Sequence, residues 1–138
     1  MKVVVNRCYG GFGLSHAAIM RYAELSGIKL FPFTEARKED GRTDFRKFVP
    51  YTGQKETFLI HYSTQPLTSD GKYQDNTYWS YPSDERSDTT LIQVIEEMGE
   101  SANGTCAKLE ILEIPDDVQY EIDDYDGMES IHEKHRSW

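Results

Sequence analysis

Asn6, Arg7, Gly10, Gly11, Gly13 and Ser15 fall close together in the run KVVVNRCYGGFGLSHAAIM. An amide, a guanidinium, a glycine turn and a helix-capping hydroxyl are the parts of an anion site. The first N–H groups of a helix have no intrahelical partner and carry partial positive charge, and glycines let the backbone approach a bound group. The spacing is neither G-x-x-x-x-G-K-[ST] nor G-x-G-x-x-G, since His16 stands where the last glycine of the second motif belongs. Two readings stay open, an anion-binding loop and a structural turn into a capped helix. Cys8, next to Arg7, is either a thiol of lowered pKa or a buried strand residue.

A ring-binding part could come from Tyr78, Trp79 and Tyr81, in a strand-like run whose alternation separates Tyr78 from Trp79 and Tyr81. Such rings stack on a base or anchor a partner protein, while core packing claims at least one face. Arg86 could add a charge. Ser15 or Ser80 with His16 or His61 would form a triad only by distant pairing, and there is no G-x-S-x-G elbow, so no catalytic residue is assigned. His132 and His135 have a spacing that metal sites use, without a third ligand. Asp124-Tyr125-Asp126-Gly127 imitates part of an EF-hand loop, but Ile122 occupies the first ligand position. Neither a metal nor a cofactor is expected. The acidic run around Asp123, Asp124 and Asp126 reads as a solvated edge, or as a surface that mimics nucleic acid toward a basic partner.

The charge of −9, from 15 Lys and Arg against 24 Asp and Glu, opposes general nucleic-acid binding. Two cysteines make neither a disulfide framework nor a zinc site, which fits a reducing cytoplasm. There is no 18-residue apolar run, and Met1 to Val5 is too short for a signal h-region, so no membrane segment is expected. The 138 residues suit one domain.

Residues 2–6 predict a buried strand, and Ser15 caps a helix of apolar three-and-four spacing that stops at Ser26-Gly27. Residues 28–33 predict a second strand, parallel to the first. Residues 34–49 read as a polar surface loop, or as a flap closing over an anion. The runs 57–62 and 77–81 predict an antiparallel ribbon. Asp88 caps a helix over 89–98 that Gly99 ends. Residues 108–114 and 118–122 then predict paired strands, and 128–138 a short helix. The expected fold is α+β, a single domain with a mixed β-sheet, two main helices packed on it and a long β-hairpin in the middle.

KVVVNRCYGGFGLS, the segment from Arg86-Ser87-Asp88 through Glu96-Glu97-Met98-Gly99, and EIPDDVQYEIDDYDGMESIHEKHRSW together resemble a family of small uncharacterised proteins encoded by phages and prophages. The resemblance covers both ends of the chain, implies that 34–76 is a variable insertion carrying a mobile loop in a single domain 1–138, and implies no enzymatic activity. It implies an accessory protein that counters defence in the cytoplasm of an infected bacterium. Three functions are then expected to compete. The first is sequestration, without turnover, of a small anionic, nucleotide-derived immune signal held by Asn6, Arg7, Gly10, Gly11, Gly13, Ser15, Tyr78, Trp79, Tyr81 and Arg86. The second is inhibition of a basic host defence protein through Asp123, Asp124 and Asp126. The third is a small enzyme acting on a nucleotide derivative. An exposed aromatic sheet edge would also suit a homo-oligomer, such as a dimer.

Overall fold

Val3, Val4, Val5 and Asn6 are completely buried, which is why the β-branched run forms strand β1 (Lys2–Asn6) with both faces covered. The computed structural model describes residues 1–53 and 59–133. The fold is α+β. Its contacts divide the chain into two units, one made of Met1–Ser26 with the residues from Pro82 onward, the other Gly27–Tyr81.

In the first unit, helix α1 (His16–Leu25) begins where the Ser15 hydroxyl accepts the Ala18 N–H, and ends before Gly27 in the left-handed region. Helix α2 (Thr89–Met98) is capped by Asp88, whose Oδ2 accepts the Leu91 N–H and also the Tyr22 hydroxyl of α1 at 2.7 Å. One carboxylate thus starts one helix and fastens the other to it. Burial first, then this hydrogen bond, pushes the Tyr22 phenol up to about 12. The helices present Ala18, Ile19, Leu91, Val94 and Ile95 to the core, and α2 packs on β1.

β1 pairs antiparallel with β6 (Leu109–Glu113) in the register Lys2↔Glu113 to Asn6↔Leu109. β7 (Tyr120–Tyr125) and β8 (Met128–Glu133) form a hairpin through the two-residue turn Asp126-Gly127, and β8 lies alongside β1. Two expectations are corrected here. The strand near 118–122 pairs with β8 and not with β6, and residues 128–133 form a strand where a helix was expected. Asp126 and Gly127 both have positive φ, the conformation of the tight hairpin turn that Asp-Gly favours. The tail positions His135, Arg136 and Trp138 lie outside the described residues.

The second unit is a four-stranded antiparallel sheet in the order β3-β2-β4-β5, made of β2 (Phe31–Arg37), β3 (Thr43–Pro50), β4 (His61–Ser63) and β5 (Tyr78–Trp79). Two further expectations fail here. β1 has no parallel pairing with the second strand, because β2 uses its edges for β3 and β4. The polar stretch 34–49 is two strands of a hairpin, with Lys38 and Gly41 in its turn. A register shift between Glu35 and Ala36 interrupts the period of two, so the run lacks a clean strand alternation. The ribbon formed by β4 and β5 is antiparallel as expected but short, and Thr57 and Phe58 of its expected first strand lie outside the described residues. Among the described residues, no helix is long and apolar enough to cross a membrane.

Candidate functional site

The glycine loop is engaged inside the protein. The Gly10 N–H donates to the Asp126 carbonyl at 3.1 Å, and a Cβ placed on Gly127 would come closer than 3.0 Å to backbone atoms of Gly10 and Gly11. Gly13 accepts the Gly104 N–H at 2.9 Å, again with backbone against backbone. These glycines allow two turns to touch a loop where side chains would not fit. Ser15 Oγ caps α1 and donates to the Ser101 carbonyl at 2.6 Å.

Asn6 and Arg86 are structural for a related reason. Asn6 Nδ2 donates to the carbonyls of Cys8 and Gly127 at 2.7 and 2.6 Å, while its Oδ1 accepts the N–H groups of Cys8 and Lys108 at 3.3 and 2.8 Å. Arg86 makes a two-pronged ion pair with Glu129 at 2.5 and 2.8 Å and lies 3.7 Å over the Phe12 ring. Glu129 also accepts the Asn6 backbone N–H at 2.7 Å. Burial opposes its ionisation, yet Arg86 and Asn6 hold the carboxyl below its ordinary value. Arg7 donates to Glu110 at 3.2 Å and to the Glu129 carbonyl at 3.0 Å. The donors expected to meet a ligand are therefore spent on closing β8 against β1, and ligand contact by Asn6 or Arg86 would require breaking those bonds.

The aromatic candidates lie in the second unit. The register there pairs Phe33 with His61, Glu35 with Phe48 and Ser63 with Tyr78. Since paired residues and alternate residues share a face, Phe33, Glu35, Phe48, His61 and Tyr78 project from one side of the sheet. Trp79, by alternation, belongs to the other side with its pair Tyr62, and Tyr81 follows just beyond β5. Tyr73, from the loop after β4, joins the first face, stacking on Phe33 with centroids 5.7 Å apart and an angle of 25°.

At the centre of this face are three polar groups in series. His61 Nε2 lies 2.9 Å from Glu35 Oε1, and His61 Nδ1 lies 2.8 Å from the Tyr78 hydroxyl. The imidazole stacks on Phe33 at 5.2 Å and 23°. Glu35 and His61 side chains are only 12% and 15% exposed, so the carboxylate is shielded from water and its partner matters. Burial alone would raise the Glu35 carboxyl, but the His61 hydrogen bond and neighbouring donors bring it below its ordinary value. Burial, then Tyr73 and Glu35, raise the Tyr78 phenol. Tyr78 and Tyr73 remain 51% and 41% exposed. A buried carboxylate orients an imidazole, the imidazole holds a phenol, and the phenol faces solvent beside a second ring.

Sequence reasoning had Tyr78 and His61 among its candidates but missed Glu35, Tyr73 and the link between them. Glu35 sat in a stretch read as a charged loop, and no local spacing joins it to His61. On the β7–β8 hairpin, Asp123 pairs with His132 at 3.0 Å, Asp124 accepts the Gly127 N–H at 2.7 Å, and Tyr125 is 77% exposed between them and Asp126. Among the described residues, no three His, Cys, Asp or Glu side chains converge as a metal site.

The site defines a class, an α+β protein with a carboxylate–imidazole–phenol series on an aromatic sheet face. Compared with known protein families, curated proteins and solved structures, the chain matches none of them.

Proposed function

We propose that this chain is a small-ligand binding protein that holds a nucleotide-derived molecule by its ring on the Tyr73–Tyr78 face, without turning it over. The observation that carries this reading is a pair of half-exposed tyrosines fixed beside a shielded Glu35–His61 pair. A fixed ring loses little entropy when a base stacks on it, and each stacked base contributes about 1–3 kcal/mol. The series has the outline of a hydrolytic triad, with His61 Nδ1 placed as a base beside the Tyr78 phenol, so the enzyme reading competes at the same site. The half-exposed tyrosine pair favours holding. Together with the resemblance to phage and prophage proteins, it supports an accessory role in an infected bacterium, capturing a nucleotide immune signal in its cytoplasm.

Calorimetry with a panel of mononucleotides and cyclic dinucleotides is the test. At least one should bind, and Tyr78→Ala or Tyr73→Ala should weaken it by about tenfold or more while circular dichroism stays unchanged. A panel without a binder, or a binder indifferent to both substitutions, would overturn the reading.

The hairpin favours a second reading. The first unit holds seven Lys and Arg against seventeen Asp and Glu, whereas the second holds eight against seven, so the excess acidity belongs to the unit that displays Asp123, Asp124, Asp126 and Tyr125. An exposed tyrosine ringed by carboxylates is suited to a basic protein surface. A host protein retained from bacterial lysate should then elute steeply with salt, and Asp123→Lys with Asp126→Lys should abolish its capture. Retention that ignores both salt and charge reversal would rule this out.

A further inference from the structure

We propose that the Glu35–His61–Tyr78 series makes the ligand face selective for a ring that carries an amino group at its edge, an adenine-type base rather than a hypoxanthine-type one. This rests on the ligand reading above and names the ligand class for the same site.

The argument follows the protons. An ionised carboxylate only accepts hydrogen bonds, so the 2.9 Å contact to Glu35 Oε1 places a proton on His61 Nε2. In the neutral ring Nδ1 is then an acceptor, and the 2.8 Å contact to Tyr78 has to be made by the phenol proton. With its only proton directed at His61, the Tyr78 oxygen offers the ligand nothing but lone pairs. Among the described residues, the other titratable side chain in hydrogen-bond contact with this imidazole is Glu35 itself, while Phe33, Phe48 and Tyr78 provide its ring neighbours. Tyr73 and Tyr78 have centroids 5.6 Å apart and are inclined at 57°, so a planar ring lies flat on one of them and meets the other with its edge. Flat on Tyr73, it brings its edge to the Tyr78 oxygen. An amino group there donates a hydrogen bond, while a carbonyl sets lone pairs against lone pairs. A site committed to one polarity rejects the wrong analogue far better than an apolar slot rejects a wrong shape.

The experiment is calorimetry with adenosine 5′-monophosphate and inosine 5′-monophosphate on the whole chain. Wild type should prefer the adenine nucleotide by about tenfold or more. Tyr78→Phe keeps the ring and loses the oxygen, so it should still bind while the preference falls toward one. Glu35→Gln removes the fixed acceptor, lets the imidazole tautomer and the phenol proton turn round, and should shrink the preference without abolishing binding. That is a change in ratio, which mere support of the fold would not produce. Equal or tighter binding of the inosine nucleotide by wild type, or an unaltered ratio in Tyr78→Phe, overturns this inference and leaves the ligand reading standing. If neither nucleotide binds, the ligand reading fails for these probes and the adenine assignment falls with it.

Discussion

Glu129→Ala is expected to cost about 3–5 kcal/mol of stability, because removing one partner of a buried ion pair leaves the other charge uncompensated. Glu129 is 5% exposed, and its carboxylate takes both prongs of Arg86 and the Asn6 backbone N–H. The alanine would strand a guanidinium and a buried amide together. Urea unfolding measures it as a fall in the midpoint at unchanged slope. Replacing both partners, Glu129→Leu with Arg86→Met, should recover much of the loss, since what costs is the lone charge and not the missing pair. A midpoint that does not move in Glu129→Ala would refute this account of how β8 is fastened.

The pH dependence has the same origin. The Glu129 carboxyl is held below its unfolded value near 4.5, so the stability it contributes is fully present above that pH and is lost as the pH falls through the folded value. Wild type should weaken on acidification below about 4.5, and Glu129→Gln, already without the charge, should show a shallower dependence.

Gly127→Ala should be the most damaging glycine substitution, at about 2–4 kcal/mol, through steric overlap added to backbone strain. Its φ of 91° is unfavourable for alanine, and the new methyl would strike backbone atoms of Gly10 and Gly11, which cannot swing aside as a side-chain tip would. Gly11 provides the control. Its φ of 106° is equally strained, but a Cβ there meets nothing within 4 Å, so Gly11→Ala should cost only about 1 kcal/mol. Unfolding midpoints compare the two, and hydrogen exchange at β8 amides locates the damage. Equal losses would mean that the contact between turn and loop carries no energy.

The contrast between these two glycines shows where sequence reading stops. That Gly10, Gly11 and Gly13 mark a turn before a helix was legible, and so were β1, α1 and α2. Ser15 and Asp88 are caps recognisable within four residues of what they bond, and the apolar spacing of each helix repeats within a turn. What the glycine loop is for was not legible, because the surface that fills it belongs to the hairpin turn at Gly127, more than a hundred positions away. The Asp126-Gly127 turn carries a local hairpin signal, but the helical reading of 128–138 displaces the second strand it needs.

Charge and composition by themselves determined that the chain is acidic, α+β and built on a buried N-terminal strand, since each of those follows from residue type or short-range period. Tertiary structure alone decided the rest. It turned Asn6, Arg7 and Arg86 from candidate ligand donors into the fastening of β8, because the buried Glu129 carboxylate takes Arg86 and the Asn6 backbone N–H while the Glu129 carbonyl takes Arg7. It also made a site of Glu35, His61 and Tyr78, residues with no shared local pattern, because antiparallel register projects paired side chains from the same face of the sheet and lets their hydrogen bonds meet.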